Sequence, residues 1–176
     1  LETPTLMGID PSEASDESFL RYKACFAGLL KQLISQIIDE FSLQKSLYMQ
    51  FELGNSHGLS LVKYTELANL VRNVLDEYST SFVLGGPGLA PEDANPEMFR
   101  YLESRKVAFD FVSMRDQSVI EDDSLGETIE IDRLKKNIGT VKECLQGTCY
   151  EGLPLYVSEW SFSDMPQDCL NDTCLK

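Results

Sequence analysis

With 176 residues, of which 43% are apolar, 25% charged and 10% aromatic, the chain is too apolar for a disordered tail and too mixed for a collagen-like repeat or a coiled coil, so one domain spanning 1–176 is expected. Its 15 Lys and Arg against 29 Asp and Glu leave a net charge of −14, which repels phosphate backbones and anionic lipid and excludes nucleic-acid contact through this segment. No apolar run approaches the roughly 18 residues that cross a bilayer, so no membrane partner is expected.

Phe19, Tyr22, Phe26, Leu30, Leu33, Ile34, Ile37, Ile38 and Phe41 recur at helical spacing, which predicts an amphipathic helix over 19–41 with Asp16 as its N-cap. Leu47 to Leu53 is short, apolar and aromatic, and ends in Gly54 and Asn55, as a buried strand before a turn does. Leu61, Tyr64, Leu67, Leu70, Val71, Val74, Leu75 and Tyr78 return to helical period. Phe82 to Leu84 reads as a strand stopped by Gly85, Gly86 and Pro87. Asn95 before Pro96 reads as N-cap and first residue of a short helix through Met98, Phe99 and Leu102.

Phe109 to Met114 supplies another strand. The acidic stretch Glu121 to Glu127, with Gly126 inside it, reads as a solvated loop, since its spacing lacks the ligand pattern of a calcium-binding EF-hand. Ile131, Leu134, Ile138, Val141 and Leu145 give a fourth helix, and Gly152 with Pro154 introduces the strand Leu155 to Glu159.

Helices alternating with buried strands, without a hairpin signal, predict an α/β class with a parallel sheet covered by helices. Two architectures fit: an open sheet of flavodoxin type, or part of a (β/α)8 TIM barrel of about four βα units. In either, functional groups gather just past the carboxyl ends of the strands. That nominates Asn55, Ser56 and His57, then Gly85 to Gly88, then Ser113 to Asp116, then Glu159 with Trp160. Glu159 stands beside the only tryptophan, as a nucleophilic carboxylate facing a stacked sugar ring would, although an ion-paired surface glutamate has the same local sequence. Gly85-Gly86-Pro87-Gly88 has neither the spacing nor the lysine of a phosphate loop. His57 has no second histidine to work with, and pairing it with Ser56 in a triad would ask adjacent residues to act as base and nucleophile.

Five cysteines, Cys25, Cys144, Cys149, Cys169 and Cys174, are an odd number, so reduced thiols and a cytoplasmic setting are expected. The two Cys-x4-Cys pairs approach zinc spacing, but a five-residue strand between them separates its ends by about 16 Å, against bonds of about 2.3 Å to one ion. No metal and no cofactor are therefore expected. Asn171-Asp172-Thr173 matches a glycosylation sequon, which matters only in a secreted protein. The first residue is Leu1, so the segment is read as cut from a longer chain.

Taken together, several motifs resemble glycoside hydrolase family 39, the β-xylosidase and α-iduronidase family of (β/α)8 barrels. Phe51-Glu52-Leu53-Gly54-Asn55 looks like the approach to that family's Asn-Glu-Pro motif. Phe82-Val83-Leu84-Gly85-Gly86-Pro87 looks like its Gly-Gly-Pro strand end, Phe109-Asp110-Phe111-Val112-Ser113 resembles its Asp-Phe-Val-Ser strand, and Leu153-Pro154-Leu155 through Ser158-Glu159-Trp160 its Leu-Pro-Leu…Thr-Glu-Trp segment. Asp172-Thr173 falls where the family has Asp-Thr. The resemblance implies barrel strands four to seven, with two sheet edges left for an open sheet, the rest of a longer protein, or self-association.

The same resemblance places Glu159 at the nucleophile position, Ser56 at the acid/base position where a glutamate is lost, and Asn55, His57, Arg115 and Trp160 around a saccharide. Retaining glycosidases need two carboxyl groups about 5–5.5 Å apart, and a serine hydroxyl cannot donate a proton near neutral pH. Arg115, standing where the family has other residues, is expected to pair with Glu159 and lower its pKa. The expected function is thus a glycosidase-like domain that binds or senses a mono- or oligosaccharide, a pentose such as xylose among them, with impaired catalysis. Similar domains occur attached to AraC-type transcriptional regulators, so this one is read as the ligand-sensing part of such a regulator. The alternative is an active retaining β-xylosidase-like hydrolase.

Overall fold

The computed structural model describes residues 6, 8–54, 58–116, 119–122, 126–129 and 131–160. Helix α1 (Asp16–Phe41) follows the apolar period: Phe19, Tyr22, Phe26, Leu30 and Ile34 make its buried stripe. Its N-cap is Ser15 rather than Asp16, because Ser15 is the last extended residue and its side chain accepts from the Ser18 N–H, while Asp16 falls in the first turn. A one-turn helix α2 (Leu43–Ser46), which periodicity does not show, then shortens the first strand to β1 (Gln50–Glu52).

Helix α3 (Leu61–Tyr78) buries Tyr64, Leu67, Ala68, Val71, Val74 and Leu75. Strand β2 (Val83–Leu89) is not stopped at Gly85 but runs through the whole Gly-Gly-Pro-Gly stretch, which includes a cis Gly86–Pro87 peptide bond. Packing explains why. A Cβ on Gly85 would collide with the Phe111 ring, and one on Gly86 would lie 2.6 Å from Tyr64 Oη and 2.8 Å from the Leu53 carbonyl oxygen. The glycines serve close approach rather than chain reversal.

A short 3-10 turn (Pro91–Asp93) leads to α4 (Pro96–Ser104), where Asn95 Oδ1 accepts from the Met98 N–H at 2.8 Å. Asn95→Ala is expected to cost about 1 kcal/mol, read as a lower urea midpoint at unchanged slope. Strand β3 (Phe111–Asp116) begins two residues later than the sequence pattern gives, since Phe109 joins the aromatic cluster around Tyr150 instead. The acidic stretch is not a loop but an antiparallel hairpin, β4 (Val119–Asp122) with β5 (Gly126–Ile129). Helix α5 (Ile131–Leu145) and strand β6 (Leu155–Trp160) complete the described chain.

The four long-range strands form one parallel sheet in the order β1-β2-β3-β6. That order never reverses. A flavodoxin-type sheet reverses at its first strands, so the arrangement is that of a barrel wall. Phe51, Leu53, Leu84, Val112 and Met114 face the helices and join their core, with Leu155 and Val157 packed against it. The opposite set, Glu52, Gly85, Phe111, Ser113 and Tyr156, lines the concave inner face. Four parallel strands are half the number of an eight-stranded barrel, and the fold is a partial TIM barrel.

Candidate functional site

Parallel-strand ends place chemistry at the rim where β1, β2, β3 and β6 finish. Of the residues nominated by sequence, Asn55, Ser56 and His57 lie outside the described residues, as does the side chain of Trp160, whose backbone ends β6. Glu159 and Arg115 are described, and the register makes them Cα partners across β3 and β6.

How Glu159 reaches the inner face depends on an irregularity in the ladder. Strict alternation from Tyr156 puts Ser158 on the inner face and Glu159 against the helices. The register, however, passes from Met114↔Val157 directly to Arg115↔Glu159, so Ser158 is an extra residue and β6 carries a bulge. The bulge advances the phase by one residue. Glu159 thereby shares the side of Arg115, which follows Phe111 and Ser113 on the inner face, and it stands exposed at the rim.

Beside it stands a group that sequence reasoning missed. Glu52 Oε1 accepts from Ser158 Oγ at 2.9 Å, and the same hydroxyl lies 3.5 Å from the Met114 carbonyl oxygen. Three strand spacings would hold β1 and β6 about 14 Å apart in a flat sheet, beyond what a glutamate and a serine can bridge through one hydrogen bond. The sheet is therefore curled about this face. Gly88 leaves room for the bridge: its φ is +61°, and a Cβ there would lie 2.5 Å from Glu52 Oε1. Ser113 Oγ accepts from the Gly88 N–H at 3.0 Å and fixes a second bulge, in β2, between Pro87 and Leu89.

The Glu52 charge also acts on the helix side. Burial pushes the Tyr64 phenol well above its ordinary pKa, and Glu52 adds to that rise. Tyr64 therefore stays neutral and donates to the Leu53 carbonyl at 2.8 Å. It lines a cleft of about 550 Å³ that opens over the ends of β2 and β3, together with Pro87, Leu89, Asp93, Tyr101 and Arg115.

The expected ion pair is not formed: among the described residues no salt bridge joins Arg115 to Glu159, although they are register partners. Arg115 lines the cleft instead, with its Nε buried and without a hydrogen-bond partner among the described residues, whereas Glu159 is not among the described residues that line that hollow. The ion pair that the sequence suggests between these two register partners is therefore absent among the described residues.

Cys25, Cys144 and Cys149 are free thiols, and burial pushes the Cys144 and Cys149 thiols up from their ordinary value. Cys169 and Cys174 lie outside the described residues. Among the described residues no group of three or more His, Cys, Asp or Glu side chains is arranged to hold a metal ion, and no helix is long and apolar enough to cross a membrane.

No family model matches the sequence, and no curated protein matches it. Solved structures do. The crystal structure of the GH39 enzyme from Xanthomonas axonopodis pv. citri superposes with a TM-score of 0.68 at 20% identity, covering 82% of this chain and 31% of that one. A monomeric β-xylosidase from Caulobacter crescentus gives 0.67 at 20% identity, covering 82% and 32%. A bacterial orthologue of human α-L-iduronidase gives 0.68 at 17% identity, covering 92% and 29%. The chain thus spans about a third of the length of these structures. Its described strands have the fold of the corresponding segment of a glycoside-hydrolase barrel.

Proposed function

We propose that this chain is the saccharide-binding part of a glycosidase-like barrel, with Glu159 as its working carboxylate and with catalysis impaired because Ser56 stands where a proton donor is required. The observation that carries this reading is the β6 bulge, which turns Glu159 onto the inner face at the carboxyl end of the strand, where barrels of this architecture keep their chemistry. Glycoside hydrolysis needs one carboxylate to attack the anomeric carbon and a second group to protonate the departing oxygen. Asn55, His57, Arg115 and Trp160 would surround the sugar, a pentose such as xylose. A cytoplasmic role as the sensing part of a transcriptional regulator suits a domain whose charge of −14 leaves DNA contact to another segment.

The test uses the intact protein with an alkyl β-xyloside, whose poor leaving group must be protonated to depart, alongside a thermal-shift titration with xylose. A rise in melting temperature with xylose and no turnover is the expected result. Ser56→Glu should then raise turnover by about 10²–10⁴, the value of a positioned acid. Turnover by the unaltered protein that disappears in Glu159→Gln would replace this reading with an active retaining β-xylosidase-like hydrolase. Neither turnover nor a thermal shift would overturn both.

A further inference from the structure

We infer that Glu52 is a positioning residue: by holding the Ser158 hydroxyl from across the sheet, it maintains the β6 bulge and so determines the face on which Glu159 stands. The inference rests on the reading that Glu159 is the working carboxylate, and it names what aims that carboxylate.

Three observations on independent elements converge on it. The first is the bulge itself. Ser158 is the one residue of β6 without a register partner on β3, and an unpaired residue in a ladder costs stability unless something else holds it. The second is the hydrogen bond from Ser158 Oγ to Glu52 Oε1, at 2.9 Å, which joins residues 106 positions apart and spans two intervening strands. A carboxylate acceptor makes this bond about twice as strong as one between neutral partners.

The third observation is the gap through which the bond passes. Between Glu52 and Ser158 lies β2, whose Gly85 and Gly88 present no side chains, and a Cβ on Gly88 would meet Glu52 Oε1 itself. Any residue other than glycine at Gly88 would therefore have to displace the carboxylate or the strand.

Losing the clasp has a defined consequence. Without Glu52, the Ser158 hydroxyl keeps only its long contact to the Met114 carbonyl at 3.5 Å, so Ser158 is released to take a regular ladder position, and the period-2 alternation of β6 then carries Glu159 to the helix side. A slip of one residue exchanges the two faces, so the effect on Glu159 is a change of environment rather than a graded displacement. Glutamine in place of Glu52 keeps an oxygen acceptor at the same reach; leucine keeps the shape and removes the acceptor.

The experiment follows the Glu159 side-chain carboxyl carbon by NMR in the intact protein labelled with δ-13C glutamate, the signal being assigned by its loss in Glu159→Gln. Ser158→Ala and Glu52→Leu are each expected to move the Glu159 carboxyl resonance, while Glu52→Gln leaves it near its original position. If Glu52→Leu does not fold, Ser158→Ala carries the test alone. A Glu159 signal unmoved in Ser158→Ala overturns the inference, whatever happens to the melting temperature. So does a Glu52→Gln variant that behaves like the leucine one. This readout needs no sugar, so a failure of xylose to bind would count against the proposed function and leave the assignment of Glu52 to be judged on the resonance.

Discussion

Gly86→Ala is expected to lower the free energy of unfolding by about 3 kcal/mol, combining overpacking with the loss of a buried hydrogen bond. The new methyl group would sit 2.6 Å from Tyr64 Oη and 2.8 Å from the Leu53 carbonyl oxygen. Those two atoms are bonded to each other at 2.8 Å, so moving either one breaks their contact. Tyr64 is 1% exposed and has no free volume to enter, and the carbonyl belongs to the chain just past β1, which cannot shift without sliding that strand along β2. Gly85→Ala should cost less, because its obstacle is the Phe111 ring, whose tilted neighbour Tyr156 is 40% exposed and can give way. Urea unfolding of the two variants side by side checks the order. A cost below about 1 kcal/mol at Gly86 would mean that β2 and α3 are not pressed together as described.

Phe99→Ala is expected to cost about 3–5 kcal/mol, the range for emptying a buried aromatic site. Phe99 is completely buried in α4 and packs on Tyr150, ring centroids 6.1 Å apart. Tyr150 in turn packs on Phe109 and donates to the Val107 carbonyl at 2.8 Å, so one cluster ties α4, the approach to β3 and the turn after α5. The cavity left by Phe99 cannot be filled by Tyr150 without breaking that hydrogen bond, which places the cost toward the upper end of the range. A denaturant series with Phe99→Leu as the milder partner reads the effect. Equal costs for the two substitutions would show that the cavity collapses freely.

The helices were legible because their information is local. A stripe such as Phe19, Tyr22, Phe26, Leu30, Ile34 needs only a period of 3.6 to be read, and the observed bounds of α1, α3 and α5 follow it closely. Strand β2 was misread because its glycines answer to Phe111, Tyr64 and Leu53, contacts that no local pattern contains. The hairpin was misread for a related reason. An acidic segment with a glycine satisfies every sign of a loop, and its pairing supplies no apolar alternation to contradict them.

Glu159 was nominated by its place at a strand end, but its orientation depends on an unpaired Ser158 that only the register reveals. Glu52 was overlooked because Leu47 to Leu53 reads as buried on both faces. The alternation in Gln50-Phe51-Glu52-Leu53 was the available signal: two polar residues on one side of a strand whose other side is wholly apolar.

The β4–β5 hairpin interrupts the repeat at one place only, between a strand that ends on the rim and the helix that returns to the far side of the sheet. Its strands pair with each other and not with the four-stranded sheet. Residues added or deleted between its two strands would therefore leave the wall's ladder untouched, which makes this the natural graft point for a reporter peptide.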